Sequence, residues 1–341
     1  MDVGPVEPEV LQSLRGIEAE WPPAAEGPWY EERDGRYHFT SRGDHCLFLR
    51  DDGRCAIHVL RGAEAKPGVC RAYPFHVLRD PRGLAVVARA DCSGLHESFR
   101  DGASVDEQAR EVVALGRVDP YREFAPTKVS ITEGVVVPVA QWMEVEDAVL
   151  LRLDKNRAAP EAAVAGIRMH LFDLLARPGR DPVPTAYDTA WERVLEGLDH
   201  IVTSVRDQRQ AWLDHIGRPS AFDVQDAILH TVGRAVTAAA KRDLPPIDDD
   251  AVDYLHLVLR SEILAKEWQF LGSVSTGLGL FLVATNLARR AATADLVTPA
   301  DLGSVLPVWK RFVAYPVVLQ SLRGLVPDLD SLFLEVTPQA S

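Results

Sequence analysis

The chain has 341 residues, with 37 Lys and Arg against 50 Asp and Glu, for a formal net charge of −13. That length buries a sizeable core and is enough for two domains. The acidic balance argues against general nucleic-acid binding, which needs a basic surface to displace counterions from phosphates.

The opening MDVGPVEPEV carries acid and proline rather than a charged-then-apolar leader, so the expected compartment is the reducing, cytoplasmic one. Residues 9–21, EVLQSLRGIEAEW, predict a short amphipathic helix ended by Pro22 and Pro23. The aromatic, alternating stretch GRYHFTSRGDHCLFL predicts short strands leading into Cys46. DDGRC predicts a turn, with Asp52 and Gly53 supplying the backbone freedom, and CAIHVL after it reads as a strand. LRDPRGLAVVARADC predicts a hairpin that turns at Pro81 and Gly83 and returns toward Cys92. A small, irregular, lightly stranded unit of this kind is where a metal contributes most to folding.

From Ser104, which has capping-box spacing to Glu107, the pattern turns helical. A β-like piece, KVSITEGVVVPV, precedes helices expected at 139–155, 160–177, 187–207, 221–241, 250–270, 273–293 and 299–323. Pro160, Pro245 with Pro246, and Pro299 punctuate them. The expected fold class is α+β. A small irregular cysteine-rich metal-binding unit with short strands spans 1–103, and a mainly α-helical domain spans 104–341. One segment, FLGSVSTGLGLFLVATNLA (270–288), is uncharged. Its glycines, hydroxyls and asparagine, with charges close on both sides, predict a central buried helix rather than a membrane span. Its GLG has no strand before it and lacks the rest of a nucleotide-loop fingerprint.

G-x-S-x-G, H-E-x-x-H and Walker-type motifs are absent from the sequence. Five of the ten histidines (His38, His45, His58, His76, His96) lie in the cysteine-bearing half. Of these, His45 and His58 are the best substitutes for a missing cysteine ligand, because each lies within three residues of one. His170 and His200 sit on expected helices, where packing explains them. The helical half, read alone, assigns no catalytic residue.

All four cysteines fall between positions 46 and 92. Paired disulfides, inert buried thiols and a thiolate metal site each account for such a group. Structural disulfides are uncommon in a reducing compartment, whereas free cysteine packs well as a small hydrophobe. Four is also the ligand count of a closed site for zinc or an iron–sulfur cluster. The intervals of 8, 14 and 21 intervening residues lack the C-x-x-C pairs of zinc ribbons. This favours a [4Fe–4S] cluster over Zn2+. The expected ligands are Cys46, Cys55, Cys70 and Cys92, with their sulfurs converging on one centre. Arg71 either lowers the pKa of the neighbouring Cys70 or donates to a bound sulfur, against the plainer reading of a surface salt bridge. Four protein thiolates leave no open position, so such a centre serves structure, electron transfer or sensing.

Read in full, CLFLRDDGRCAIH, GAEAKPGVCRAYPF and ADCSG resemble the YkgJ-type cysteine-cluster family, described as zinc- or iron-chelating proteins. They are also similar to the related flagellin lysine-N-methylases. The match runs over about residues 36–96, and Phe48, Gly53, Ile57, Lys66, Pro67, Arg71 and Pro74 agree in register with the cysteines. The resemblance implies metal binding, with Arg71 and Tyr73 of the Cys-Arg-x-Tyr-Pro segment as cofactor-contacting residues. It also implies methyl transfer from S-adenosylmethionine to a lysine of a protein substrate. The alternative is a non-catalytic, metal-stabilised partner-binding or redox module. Neither reading needs a nucleic acid or a membrane, and both leave the oligomeric state open. Family members carry an earlier cysteine group, and VEPEVLQSLRG looks like the segment that follows it. Either this lineage lost that group or the native start lies upstream, which the genomic sequence before the Met1 codon distinguishes.

Overall fold

The computed structural model describes residues 5–42, 45–52, 54–92, 94–102, 105–115, 122–132, 134–155, 158–174, 187–216 and 223–335. It is an α+β protein, mainly helical, with a few short and largely antiparallel strands. The chain divides into two units. Unit 1 comprises Met1–Arg89, Ala103–Phe124 and Gly217–Gln225, and unit 2 comprises Ala90–Gly102, Ala125–Ile216 and Asp226–Ser341.

In unit 1 the stretch expected as one helix over 9–21 forms two, α1 (Pro8–Ser13) and α2 (Ile17–Glu20). Gly16 separates them by adopting a left-handed conformation, φ 78°, that few other residues tolerate. A 3-10 turn, Pro22–Ala25, follows. Two short hairpins come next. β1 (Tyr30–Arg33) pairs antiparallel with β2 (Arg36–Phe39), and β3 (Ser41–Arg42) pairs with β4 (His45–Cys46).

CAIHVL is not a strand. Cys55 makes one bridge to Leu49 and then starts helix α3 (Ala56–Arg61). The reason lies in which residues need burial. Ala56 and Ile57 are buried and Leu60 half-buried while His58 and Val59 are exposed, a helical spacing that strand alternation cannot satisfy. Helix α4 (Gly68–Ala72) carries Cys70. The expected hairpin is present as β5 (Phe75–Asp80) and β6 (Gly83–Ala88), with Gly83 at φ 133° in its turn.

The linear boundary at 103/104 is not where the units divide. Helix α5 (Leu95–Ser98) packs on a later helix of unit 2, as described below. Helix α6 (Val105–Leu115) packs on α4 and β6, and β7 (Arg122–Glu123) pairs parallel with β5, so both belong to unit 1. Ser104, the expected cap, lies outside the described residues.

After α5, unit 2 resumes at the hairpin β8 (Lys128–Thr132) and β9 (Val135–Pro138). Helices α7 (Val139–Lys155), α8 (Pro160–Leu174), α9 (Tyr187–Ile216), α10 (Asp223–Ala239), α11 (Asp249–Ala265) and α12 (Val274–Ala291) follow. They continue as α13 (Pro299–Val313), α14 (Pro316–Leu322) and α15 (Val326–Glu335). Two expected helices are broken. Lys266, at φ 53°, ends α11 ahead of a 3-10 turn, Glu267–Phe270. Pro316 opens a new helix after α13, because its ring cannot continue the old one.

Helix α12 is the buried centre that its uncharged sequence predicts, packed by α8, α13 and α15. Its GLG is a packing device. A Cβ on Gly277 would fall 2.3 Å from Trp268 Cβ, and one on Gly279 would fall 2.1 Å from the Leu329 carbonyl oxygen of α15. Among the described residues no single helix is long and apolar enough to cross a membrane, and α13 with the α14–α15 stretch passes that test only as a pair bent by 89°. Helix α5 packs on α13, where Gly303 makes room for the His96 ring.

Candidate functional site

Three of the four cysteines lie in unit 1. Cys46 ends β4, Cys55 caps α3, and a tight turn between them is held by Leu49 N–H donating to the Cys46 carbonyl and Ala56 N–H to the Phe48 carbonyl. Both cysteines pack against a core of Leu14, Ile17, Trp29, Phe39, Phe48 and Ile57. Cys70 sits on α4, whose first N–H, from Gly68, donates to Glu7 Oε1 at 2.8 Å.

The thiols sense one another. Burial raises the pKa of Cys46, and the neighbouring Cys55 raises it further. Burial pushes Cys70 up to about 12, with Cys46 and Cys55 adding to the rise. The cation that pulls Cys70 back is Lys66, one of the motif residues. Arg71 is engaged elsewhere, donating from Nη1 to Glu64 Oε2 at 2.5 Å, which is the salt-bridge reading of this residue. Tyr73 is exposed and its ring faces the Arg89 guanidinium at 5.5 Å. His58 is exposed on α3, and the His45 side chain lies outside the described set.

Cys92 belongs to unit 2, is buried there, and acts electrostatically on the Tyr254 phenol, whose pKa burial raises first. Among the described residues, no three or more His, Cys, Asp or Glu side chains gather into a group that could hold a metal ion. The closed four-thiolate group expected from the sequence is therefore not among the arrangements those residues make. The donor chemistry of Cys46, Cys55 and Cys70 suits a soft metal. Their side chains are not closed around one.

Unit 2 holds polar groups that no sequence motif announced. Lys266 Nζ donates to Glu146 Oε1 at 2.9 Å with both side chains fully buried, and Trp142 Nε1 donates to Glu146 Oε2 at 3.1 Å. Arg289 donates to both oxygens of Glu161, at 2.9 and 3.1 Å. On α15, Asp330 Oδ1 accepts from Ser275 at 2.8 Å, Thr276 at 2.6 Å and Ser273 at 3.4 Å, all buried.

Unit 2 also holds a cavity of about 340 Å³, walled by Trp142, Trp268, Leu278, Phe281, Val313 and Leu319. One wall is charged. Lys310 Nζ donates to Glu262 Oε2 at 2.6 Å and also to Glu267 Oε2. Burial raises Glu262 to about 7; Lys310 pulls it down while Glu267 and Asp91 push it up. Burial lowers the Lys310 pKa, but the two carboxylates outweigh it and hold the ammonium charged. These residues are distant in sequence, Glu262 and Lys310 standing 48 positions apart, which is why a linear search for motifs missed them.

No protein-family model matches the chain, and neither does any curated protein sequence or solved structure.

Proposed function

We propose that the chain is a metal-binding cysteine-cluster protein whose first unit takes an iron–sulfur cluster or zinc through Cys46, Cys55 and Cys70. One observation carries this reading: three thiols in one small unit, near enough for their charges to act on one another. The resemblance supports it through residues around them. Phe48 and Ile57 fill the core against which Cys46 and Cys55 pack, Lys66 acts on Cys70, and Pro67 precedes α4. Thiols with raised pKa values bind metal only by giving up their protons, and ligation draws the side chains together as the unit folds around the ion. A centre held by protein thiolates supplies structure, electron transfer or sensing.

The test is the metal content of anaerobically purified protein. About one zinc, or about four irons with acid-labile sulfide, per chain is expected, and the triple Cys46→Ser, Cys55→Ser, Cys70→Ser variant is expected to carry none. A parent without metal, or a variant that keeps it, overturns the proposal. Cys92→Ser decides the part of the fourth cysteine by the same measurement. Transfer of label from methyl-labelled S-adenosylmethionine to lysines of lysate proteins extends the reading to a protein lysine N-methylase. Its absence leaves the non-catalytic module.

A further inference from the structure

We infer that Glu7 closes the metal centre of unit 1 as its oxygen ligand, beside the thiolates of Cys46, Cys55 and Cys70. The inference rests on the metal reading and names the fourth donor from within unit 1, whereas Cys92 belongs to unit 2.

The Glu7 side chain is turned away from its own helix. Glu7 stands at the head of α1, where its carbonyl accepts from the N–H groups of Val10 and Leu11, yet its side chain makes no capping bond there. Instead Oε1 accepts from Gly68 N–H, 61 positions along the chain, at 2.8 Å. Gly68 is the first residue of α4, the helix that carries Cys70. The segment is held in place beside it by Val6, which is buried and donates its N–H to the Tyr37 carbonyl at 2.7 Å.

Oε2 is the informative atom. It is buried and has no hydrogen-bond partner among the described residues. A buried carboxylate oxygen is costly unless an electropositive group meets it, and the Gly68 N–H is already given to Oε1. The thiols share these surroundings: Glu7, Cys46 and Cys55 all act on Cys70, opposed by Lys66. A hydrogen-bond donor would satisfy Oε2 alone, whereas a metal ion satisfies Oε2 and the three cysteines together. Zinc suits this donor set, because its four-coordinate sites take both thiolate sulfur and carboxylate oxygen. Ligation releases the three thiol protons to solvent and sets one hard oxygen beside three soft sulfurs.

The test is X-ray absorption at the zinc edge of the full chain, reconstituted anaerobically with one Zn2+, beside zinc affinity measured by competition with a chromophoric chelator. Three sulfurs at about 2.3 Å and one oxygen at about 2.0–2.2 Å are expected around the ion. Glu7→Gln keeps an acceptor for Gly68 N–H and removes only the anionic oxygen. It is expected to weaken zinc binding at least about tenfold, with circular dichroism confirming that the variant is folded. Glu7→His, of similar reach and itself a zinc ligand, is expected to restore much of that affinity. Cys92→Ser is expected to change neither the shell nor the affinity. Four sulfurs around zinc in the parent, or Glu7→Gln binding zinc as tightly as the parent, overturns the inference and leaves the metal reading standing; water is then the partner of Oε2. A reconstituted parent that holds no zinc also overturns it, and the metal content of the purified protein decides the metal reading separately.

Discussion

Unit 1 and unit 2 solve the problem of burial differently. Unit 1 is built from short pieces: among its described elements, α6 is the longest helix and no strand exceeds six residues. Its indoles find partners within the unit, Trp21 Nε1 donating to the Leu47 carbonyl and Trp29 Nε1 to Glu18 Oε1, and its cysteines are only part-buried. Unit 2 has helices long enough to enclose whole ion pairs, such as Lys266 with Glu146. Small elements leave much of their surface to be covered, so a unit made of them gains most from an external tie such as a metal. Long packed helices supply their own closure and then depend on every buried charge being matched.

The largest effect expected from this contrast is in unit 1. Chelation under anaerobic conditions, or Cys55→Ser, is expected to remove stabilisation on the order of 10 kcal/mol, the scale of metal-coupled folding. Residues 36–96 are then expected to become protease-sensitive, while far-ultraviolet circular dichroism retains most of its helical signal. Equal protease resistance in parent and variant would reduce the cysteines to ordinary packing residues.

In unit 2 the largest effect is expected at the buried pair. Lys266→Met removes the ammonium that Glu146 pairs with in the interior, at a cost of about 3–5 kcal/mol in denaturant-induced unfolding. Adding Glu146→Leu is expected to return much of that loss, because the pair's value lies in mutual neutralisation. A smaller loss, about 1–3 kcal/mol, is expected for Thr276→Val, which removes one hydroxyl donor from Asp330 and leaves the carboxylate under-satisfied.

A further expected effect is a slope with pH. Glu262 titrates at about 7 in the folded chain and near 4.5 when exposed. Between those values the folded state holds a proton that the unfolded state has released. The Glu262 contribution to stability therefore falls as pH rises from 4.5 to 7. Glu262→Gln is expected to flatten the thermal-denaturation midpoint over that window. An unchanged slope in the variant would assign the effect to other groups.

Much of this architecture was legible along the chain. Uninterrupted apolar periodicity predicted 139–155 as a helix to the residue, and the hairpin at 75–88 followed from alternation around turn residues, whereas 128–138 read only as a β-like piece and its antiparallel pairing came from the structure. CAIHVL misled because five apolar residues in six fit either period. Which of them point inward was settled by the core of Phe48, Trp29 and Leu14, contributed by distant residues. The breaks at Gly16 and Lys266 were hidden for a related reason. A single left-handed residue interrupts a helix without disturbing the apolar pattern around it.

What the sequence determined by itself was local: helices, hairpins, the buried character of 270–288, and a cysteine group with soft-ligand chemistry. The tertiary structure alone decided which residues became neighbours. It joined residues 90–102 to the helical unit through α5 against α13, and it returned 103–124 to the first. It set Lys310 between Glu262 and Glu267 and Lys266 against Glu146, and it gave GLG its purpose in close packing. The physical reason is common to all of these. Local preference is written in spacing along the chain, whereas burial, charge compensation and close approach belong to pairs of distant residues and exist only once the chain has folded.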